Sequence, residues 1–361
     1  MNVNSQNLSS TSKPRIFNNP ERFIEGWYWV IASKNLRVGE VKAVKVLGRE
    51  LAIYRGKNKM AVIFDAYCPH MGAHLAKGKV QGNELRCFFH HWQFDEQGFC
   101  VDIPCLNHPV SIKLKTWPTA EKYGMIWVWT GEVPKQPPPF ILELENKECD
   151  VVFGDYFLIN CHPNVVMINP IDAQHFNTVH QVASAIHFEK QEINQNAIVF
   201  NNTTPNTVNS FLFRLIRPLG KNLTHNICYW YGSTNIVTVG TDFFQVHIMF
   251  ALRLLEGGKS EGRVMLITKK RQGILGWLFN RVLLWLTKVV GRHFIEDDIQ
   301  IFQTIQFDLK TPIKADQSVM QFVNHLERQK PLMLKTWLLA RSQNVEIKEL
   351  REKWKDSKSN D

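Results

Sequence analysis

The sequence predicts an α+β chain of two domains: a small antiparallel domain, then a larger antiparallel sheet with helices. Three observations lead there. The 361 residues are 44% hydrophobic and 21% charged, the make-up of a globular protein long enough for about two domains. Residues 26–66 alternate apolar and polar in short runs, 41–46 and 51–54 among them, broken by Gly39, Gly48 and Gly56. That is the texture of a small antiparallel sheet. Pro134, Pro137, Pro138 and Pro139 then fall within GEVPKQPPPF, a run that fits neither a sheet interior nor a helix and so reads as a linker.

The elements follow in order. Residues 1–20 open Asn/Ser-rich and read as a frayed tail without an export signal. Residues 21–135 form the first domain and 145–345 the second, with expected strands at 198–200, 210–215 and 243–252. Helical stretches are expected over 164–180 and 273–309, and 346–361 reads as a charged tail. Seven cysteines are too sparse for a disulfide scaffold. With no leader visible, they point to a reducing cytoplasm, where thiols are free or hold metal. The formal charge of +10, from 43 Lys and Arg against 33 Asp and Glu, admits nucleic acid, a membrane surface or an acidic protein as partner. No nucleic-acid motif accompanies it, so none is expected.

Two constellations carry chemistry. The first is Cys68 and His70 in CPH, sixteen residues, then Cys87 and His90 in CFFH. Each half is a tight loop aiming two side chains at one place. Two thiolates and two imidazoles suit a tetrahedral zinc or a Rieske [2Fe–2S] cluster, in which the sulfurs hold one iron and the nitrogens the other. Zinc modules usually group like ligands, whereas here each loop supplies one of each, which favours the cluster. Cys100, Cys105, Cys149, Cys161 and Cys228 have no matched partners and read as ordinary thiols.

The second constellation is NPIDAQHFNTVH, from Asn169 to His180. Histidines five apart on an ideal helix point about 140° away from each other. They converge on one metal only if the helix is distorted or ends between them. Two imidazoles and a carboxylate make the facial triad of non-haem Fe(II) oxygenases, and the third ligand must come from downstream.

The stretch DAYCPHMGAHLAKGKVQGNELRCFFHHWQFDEQGFCVDIP resembles the Rieske domain of ring-hydroxylating and sterol-modifying oxygenases. Respiratory Rieske proteins carry a disulfide at the positions of Ala73 and Phe89, so the resemblance is to the oxygenase branch. The departures are Phe88 and His91, where the family usually has Pro and often Gly. The second constellation is similar to the same family, nearest its 3-ketosteroid hydroxylases and cholesterol desaturases. The resemblance implies a helix-grip-like catalytic domain with mononuclear Fe(2+) held by His175, His180 and Asp298, the last on EDDIQIF. Asp297 is the one-residue slip and Glu296 an ordinary helix acid. It further implies that Asp172 bridges a Rieske histidine of a neighbouring subunit to an iron-binding histidine, hence a homotrimer. Asn169 would stand beside the iron site. The function implied is hydroxylation or desaturation of a bulky apolar substrate with O2; the alternative is a Rieske electron carrier. No G-x-G-x-x-G follows a strand, so electrons are expected from a ferredoxin or ferredoxin-type NAD(P)H reductase, which the positive charge would help to steer.

One segment stands apart. GILGWLFNRVLLWLTKVVG, 273–291, is long enough to consider as a membrane span, but Arg281 and Lys288 make that expensive. It reads as an amphipathic helix. The favoured reading is a buried roof over the substrate pocket, and the other is peripheral contact with a membrane surface.

Overall fold

The computed structural model describes residues 16–106, 111–180, 187–205, 222–241 and 243–339. The strand expected at 210–215 and the charged tail at 346–361 lie outside these. Within the stretch expected to fray, Ile16 and Phe17 are buried, and their backbone N–H groups donate to the Glu327 carboxylate. Two large apolar side chains and a distant acid hold this segment down.

Among the described residues, the first domain holds three small antiparallel sheets, and its strand Arg22–Ile24 pairs with Pro331–Met333 near the far end of the chain. One runs Thr116–Trp117, Ala61–Asp65, Arg49–Arg55, Val41–Val46; another runs Lys79–Gln81, Glu84–Arg86, Gln93–Phe94, Cys100–Asp102. The third pairs Met125–Trp129 with Thr119–Lys122 on one side and Trp27–Ala32 on the other. Its strands WYWVIA and MIWVW are apolar throughout because both faces are buried. Side chains alternate across a strand. Tyr28, Val30, Ile126 and Val128 face the first domain's core, while Trp27, Trp29, Trp127 and Trp129 face that of the second.

Among the described residues, the second domain holds one eight-stranded antiparallel sheet. Its main path runs Cys149–Ile159, Lys259–Lys269, Gln245–Leu255, Thr234–Gly240, Asn222–Trp230, Ala197–Asn201, Glu189–Asn194, and Thr203–Pro205 also pairs with Asn222–Trp230. The long helix Gly273–Thr304 lies on the Cys149–Ile159 end of that sheet. The helix Gln317–Glu327 packs further along it, where Phe322 meets Tyr229 with ring centroids 4.5 Å apart. The short helices Pro163–Ile168 and Ala173–Thr178 precede the sheet's far strands in sequence and carry the second constellation.

The favoured reading of 273–291 as a buried roof is corrected here. Ile274 and Leu275 are each 83% exposed, and Trp277, Leu278, Val282, Trp285, Leu286 and Val289 are exposed as well. Only one narrow face, with Asn280 and Leu284, reaches the sheet.

Candidate metal centres

The first centre sits on two loops of like construction. Cys68 N–H donates to Ala73 O at 2.9 Å, and Cys87 N–H donates to Trp92 O at 2.8 Å, so each loop is closed at its base. Gly72 turns the first loop with φ +74°, a conformation that costs glycine little. Gly78 lets the loops approach: a Cβ there would stand 2.3 Å from Arg86 O. The two thiols are buried, while His70 is half-buried and His90 exposed. His70 stacks on Trp92, with centroids 4.3 Å apart and planes 6° off parallel, and lies 4.6 Å from the His90 ring. Burial and the adjacent His90 hold the His70 imidazole below its usual range, in the neutral form that binds metal.

Burial pushes the Cys68 thiol up to about 12, and the Cys87 thiol beside it adds to the shift. A thiol held that high becomes a thiolate only next to strong positive charge, which an iron supplies. Sulfurs inside and imidazoles at the surface suit a cluster with two unlike irons. The four donors do not close on one point. Among the described residues, the set of three ligating side chains whose donor atoms all lie within 4.8 Å is His175, His180 and Asp298.

That set is the second centre. His162 caps the helix Pro163–Ile168, accepting from Asn164 N–H, and a 3-10 turn over Asn169–Ile171 follows. Asp172 leaves helical geometry (φ −85°, ψ 97°) and caps the next helix: its Oδ1 accepts from Gln174 N–H at 3.0 Å and His175 N–H at 3.1 Å. This helix ends at Thr178, so His180 is released to fold back, its ring 4.7 Å from that of His175. The break resolves the 140° problem.

Asp298 comes from the long helix. His175 Nε2 lies 2.8 Å and His180 Nε2 3.1 Å from Asp298 Oδ1, and the two nitrogens are 3.0 Å apart. Donors at right angles about 2.1 Å from one ion stand about 3.0 Å apart; a tetrahedral ion sets them about 3.4 Å apart. The triangle therefore fits one face of an octahedron. Asp298 Oδ1 is buried and accepts no well-aligned hydrogen bond, so three lone-pair atoms face one point, as a cation requires. Burial raises the Asp298 carboxyl, but the two imidazoles outweigh it and hold it below the usual range.

Asn169 Nδ2 donates to Asp298 Oδ2 at 2.8 Å and fixes the carboxylate. Asp297 and Glu296 stand outside the triangle. Sequence reasoning missed the aromatic surround. Phe294 is 4.7 Å and Phe176 5.9 Å from the His180 ring, and Phe176 touches buried His225 at 5.0 Å. Phe176 lay inside the motif and was open to notice; nothing local marks His225 or Phe294.

Residues 26–118 match the Rieske [2Fe-2S] domain family. The N-terminal domain is a Rieske domain. It carries a [2Fe–2S] cluster, and the two loops with Cys68, His70, Cys87 and His90 lie inside the matched range. The chain is 36% identical over 174 residues to cholesterol 7-desaturase nvd of Drosophila melanogaster, covering 46% of this chain and 40% of that protein. It is 31% identical over 169 residues to the oxygenase component of 3-ketosteroid-9-alpha-monooxygenase of Rhodococcus rhodochrous, covering 45% of each. The chain thus spans less than half the length of these relatives in the matched region. The fold of Rieske domain plus catalytic domain is that of apo dicamba monooxygenase, with TM-score 0.61 at 19% identity over 85% of this chain and 98% of that one.

Proposed function

We propose that the chain is the oxygenase component of a Rieske non-haem iron system, which hydroxylates or desaturates a bulky apolar substrate of sterol or related kind. The observation that carries this reading is the His175, His180, Asp298 triangle, 2.8–3.1 Å on each side, in a chain that also has a Rieske domain. When bound, the cluster relays single electrons and a mononuclear Fe(2+) uses them to reduce O2 for attack on a C–H bond. The rest falls to the chain's own residues. His90 and the edge of His70 present the cluster side to a partner surface, flanked by exposed Met71, Phe88 and Phe89. Asp172 links such a histidine of a neighbouring subunit to His175 within a homotrimer, accepting an N–H from each ring. Phe176, Phe294 and the neutral His225 enclose the triangle, exclude water and give an apolar substrate its contacts. Burial pushes His225 down to about 4, so it brings no charge into that space at neutral pH. Electrons come from a ferredoxin or ferredoxin-type reductase. The description of one relative as an oxygenase component, and the names of two as acting on cholesterol and 3-ketosteroid, support both the partner and the substrate class.

Iron and acid-labile sulfide analysis, with an EPR spectrum of the anaerobically reduced protein, tests the reading. We expect a Rieske-type signal with about three irons and about two sulfides per chain. A Rieske signal with only two irons after iron reconstitution would overturn it and leave an electron carrier.

A further inference from the structure

We infer that the first half of the long helix Gly273–Thr304 docks, lying in plane, on a bilayer rich in anionic phospholipid. This stands on the helix surface alone and not on the oxygenase reading. Successive helical residues turn by about 100°, so Ile274, Leu278, Trp285 and Val289 form one stripe, widened by Leu275 and Leu286; all six are exposed. Trp277, 52% exposed, lies along its border, with Arg281 over its ring at 5.3 Å. Such a continuous apolar strip on a surface marks an interaction site.

Charge decides the occupant. From 269 to 295 the chain carries six cations and no acid. Lys270 pairs with Glu148 and both Lys288 and Arg292 with Asp155, which leaves Lys269, Arg271 and Arg281, with the excess of six cations over two acids, to face an anionic surface. The stripe ends where Arg292 and Glu296 take over the same face. A protein interface core is depleted in lysine. An anionic headgroup layer takes clustered Lys and Arg beside tryptophan at the level of the interface. A span is ruled out by the opposite face, which is tied to the sheet. Leu284 packs on Val246, Val264 and Leu266, and Asn280 Nδ2 donates to Asp150 Oδ2 at 2.7 Å and Lys269 O at 2.9 Å. Arg292 pairs with Asp155 at 3.2 Å. The helix is therefore held flat, apolar side outward, as an interfacial helix must be.

The test is flotation of the full-length holoprotein with vesicles of phosphatidylcholine, alone or with one-third phosphatidylserine. The wild type is expected to float with the anionic vesicles. Trp277→Ser/Trp285→Ser should lower the bound fraction about tenfold, and Arg281→Glu should weaken binding to the anionic vesicles selectively. Visible absorption of the cluster and the oligomeric mass are followed in each protein. Wild-type protein that stays unbound on both vesicles overturns the proposal. So does a tryptophan variant that keeps full vesicle binding, or one whose only change is a smaller oligomer; the last outcome makes the stripe a contact between copies of the chain. Arg281 is exposed, so its variant keeps the fold and reads the charge contribution even if the tryptophan variant does not fold.

Discussion

The proposed bridge gives the Asp172 carboxylate a second job beside its helix cap, and the two separate chemically. Oδ1 accepts two backbone N–H groups at the start of the helix that carries His175. Asparagine caps a helix about as well as aspartate, so Asp172→Asn keeps the cap and the position of His175 and removes only the charge and one acceptor. The variant is expected to bind about as much iron as wild type, with an unchanged Rieske EPR signal, and to lose substrate-coupled turnover by more than about a hundredfold. Full turnover would show that the proposed bridge carries no electrons. His91 illustrates a departure whose cost became visible only in the structure. It stands where the resembling family often has glycine, and its backbone adopts φ +60°, a left-handed conformation that strains any side chain. Sequence alone marked the substitution; the torsion that makes it matter depends on how the second loop closes.

At the scale of elements, the apolar content of 273–291 was plain in the sequence, but which side of the helix is covered was not. Coverage depends on partners in distant strands, and only a narrow face with Asn280 and Leu284 meets them. The break between His175 and His180 was likewise required by the spacing without being located. The sequence signals the helix start through the Asp172 cap, whereas no glycine or proline marks the end at Thr178. The strands Val41–Val46 and Met125–Trp129 were legible because alternation and continuous apolar runs are local properties. Asn280 gives this scale its prediction. Its amide anchors the long helix to Asp150 and to the Lys269 carbonyl. Asn280→Ala leaves two acceptors without a donor at a packed joint, and we expect a loss of about 2 kcal/mol in unfolding free energy. Denaturant titration of the metal-loaded protein measures it. A loss below about 0.5 kcal/mol would mean that Leu284 and its neighbours hold the helix without the amide.

For the whole molecule, the two domains are joined by a shared layer more than by the proline-rich linker. The sheet with Trp27–Ala32 and Met125–Trp129 puts one set of side chains into each core, so the domains are expected to unfold together. The acid response of that unfolding follows from four buried histidines. Burial is the largest influence on each, pushing His162, His225, His247 and His325 down to about 4. In the unfolded chain each titrates near its ordinary value of about 6.5. Between those values the unfolded state holds protons that the folded state does not, so unfolding takes up protons and stability falls as pH falls. Their contribution is complete above about pH 6.5 and is lost progressively toward pH 4. The slope of the logarithm of the unfolding constant against pH should approach about four near pH 5 from these groups. His247→Gln should lower that slope by about one, because His247 accounts for one of the four protons. Denaturant midpoints of the holoprotein at half-unit steps from pH 8 to pH 5 give the slope. A stability that stays flat across that range would mean that these rings find partners, or water, that the fold does not provide.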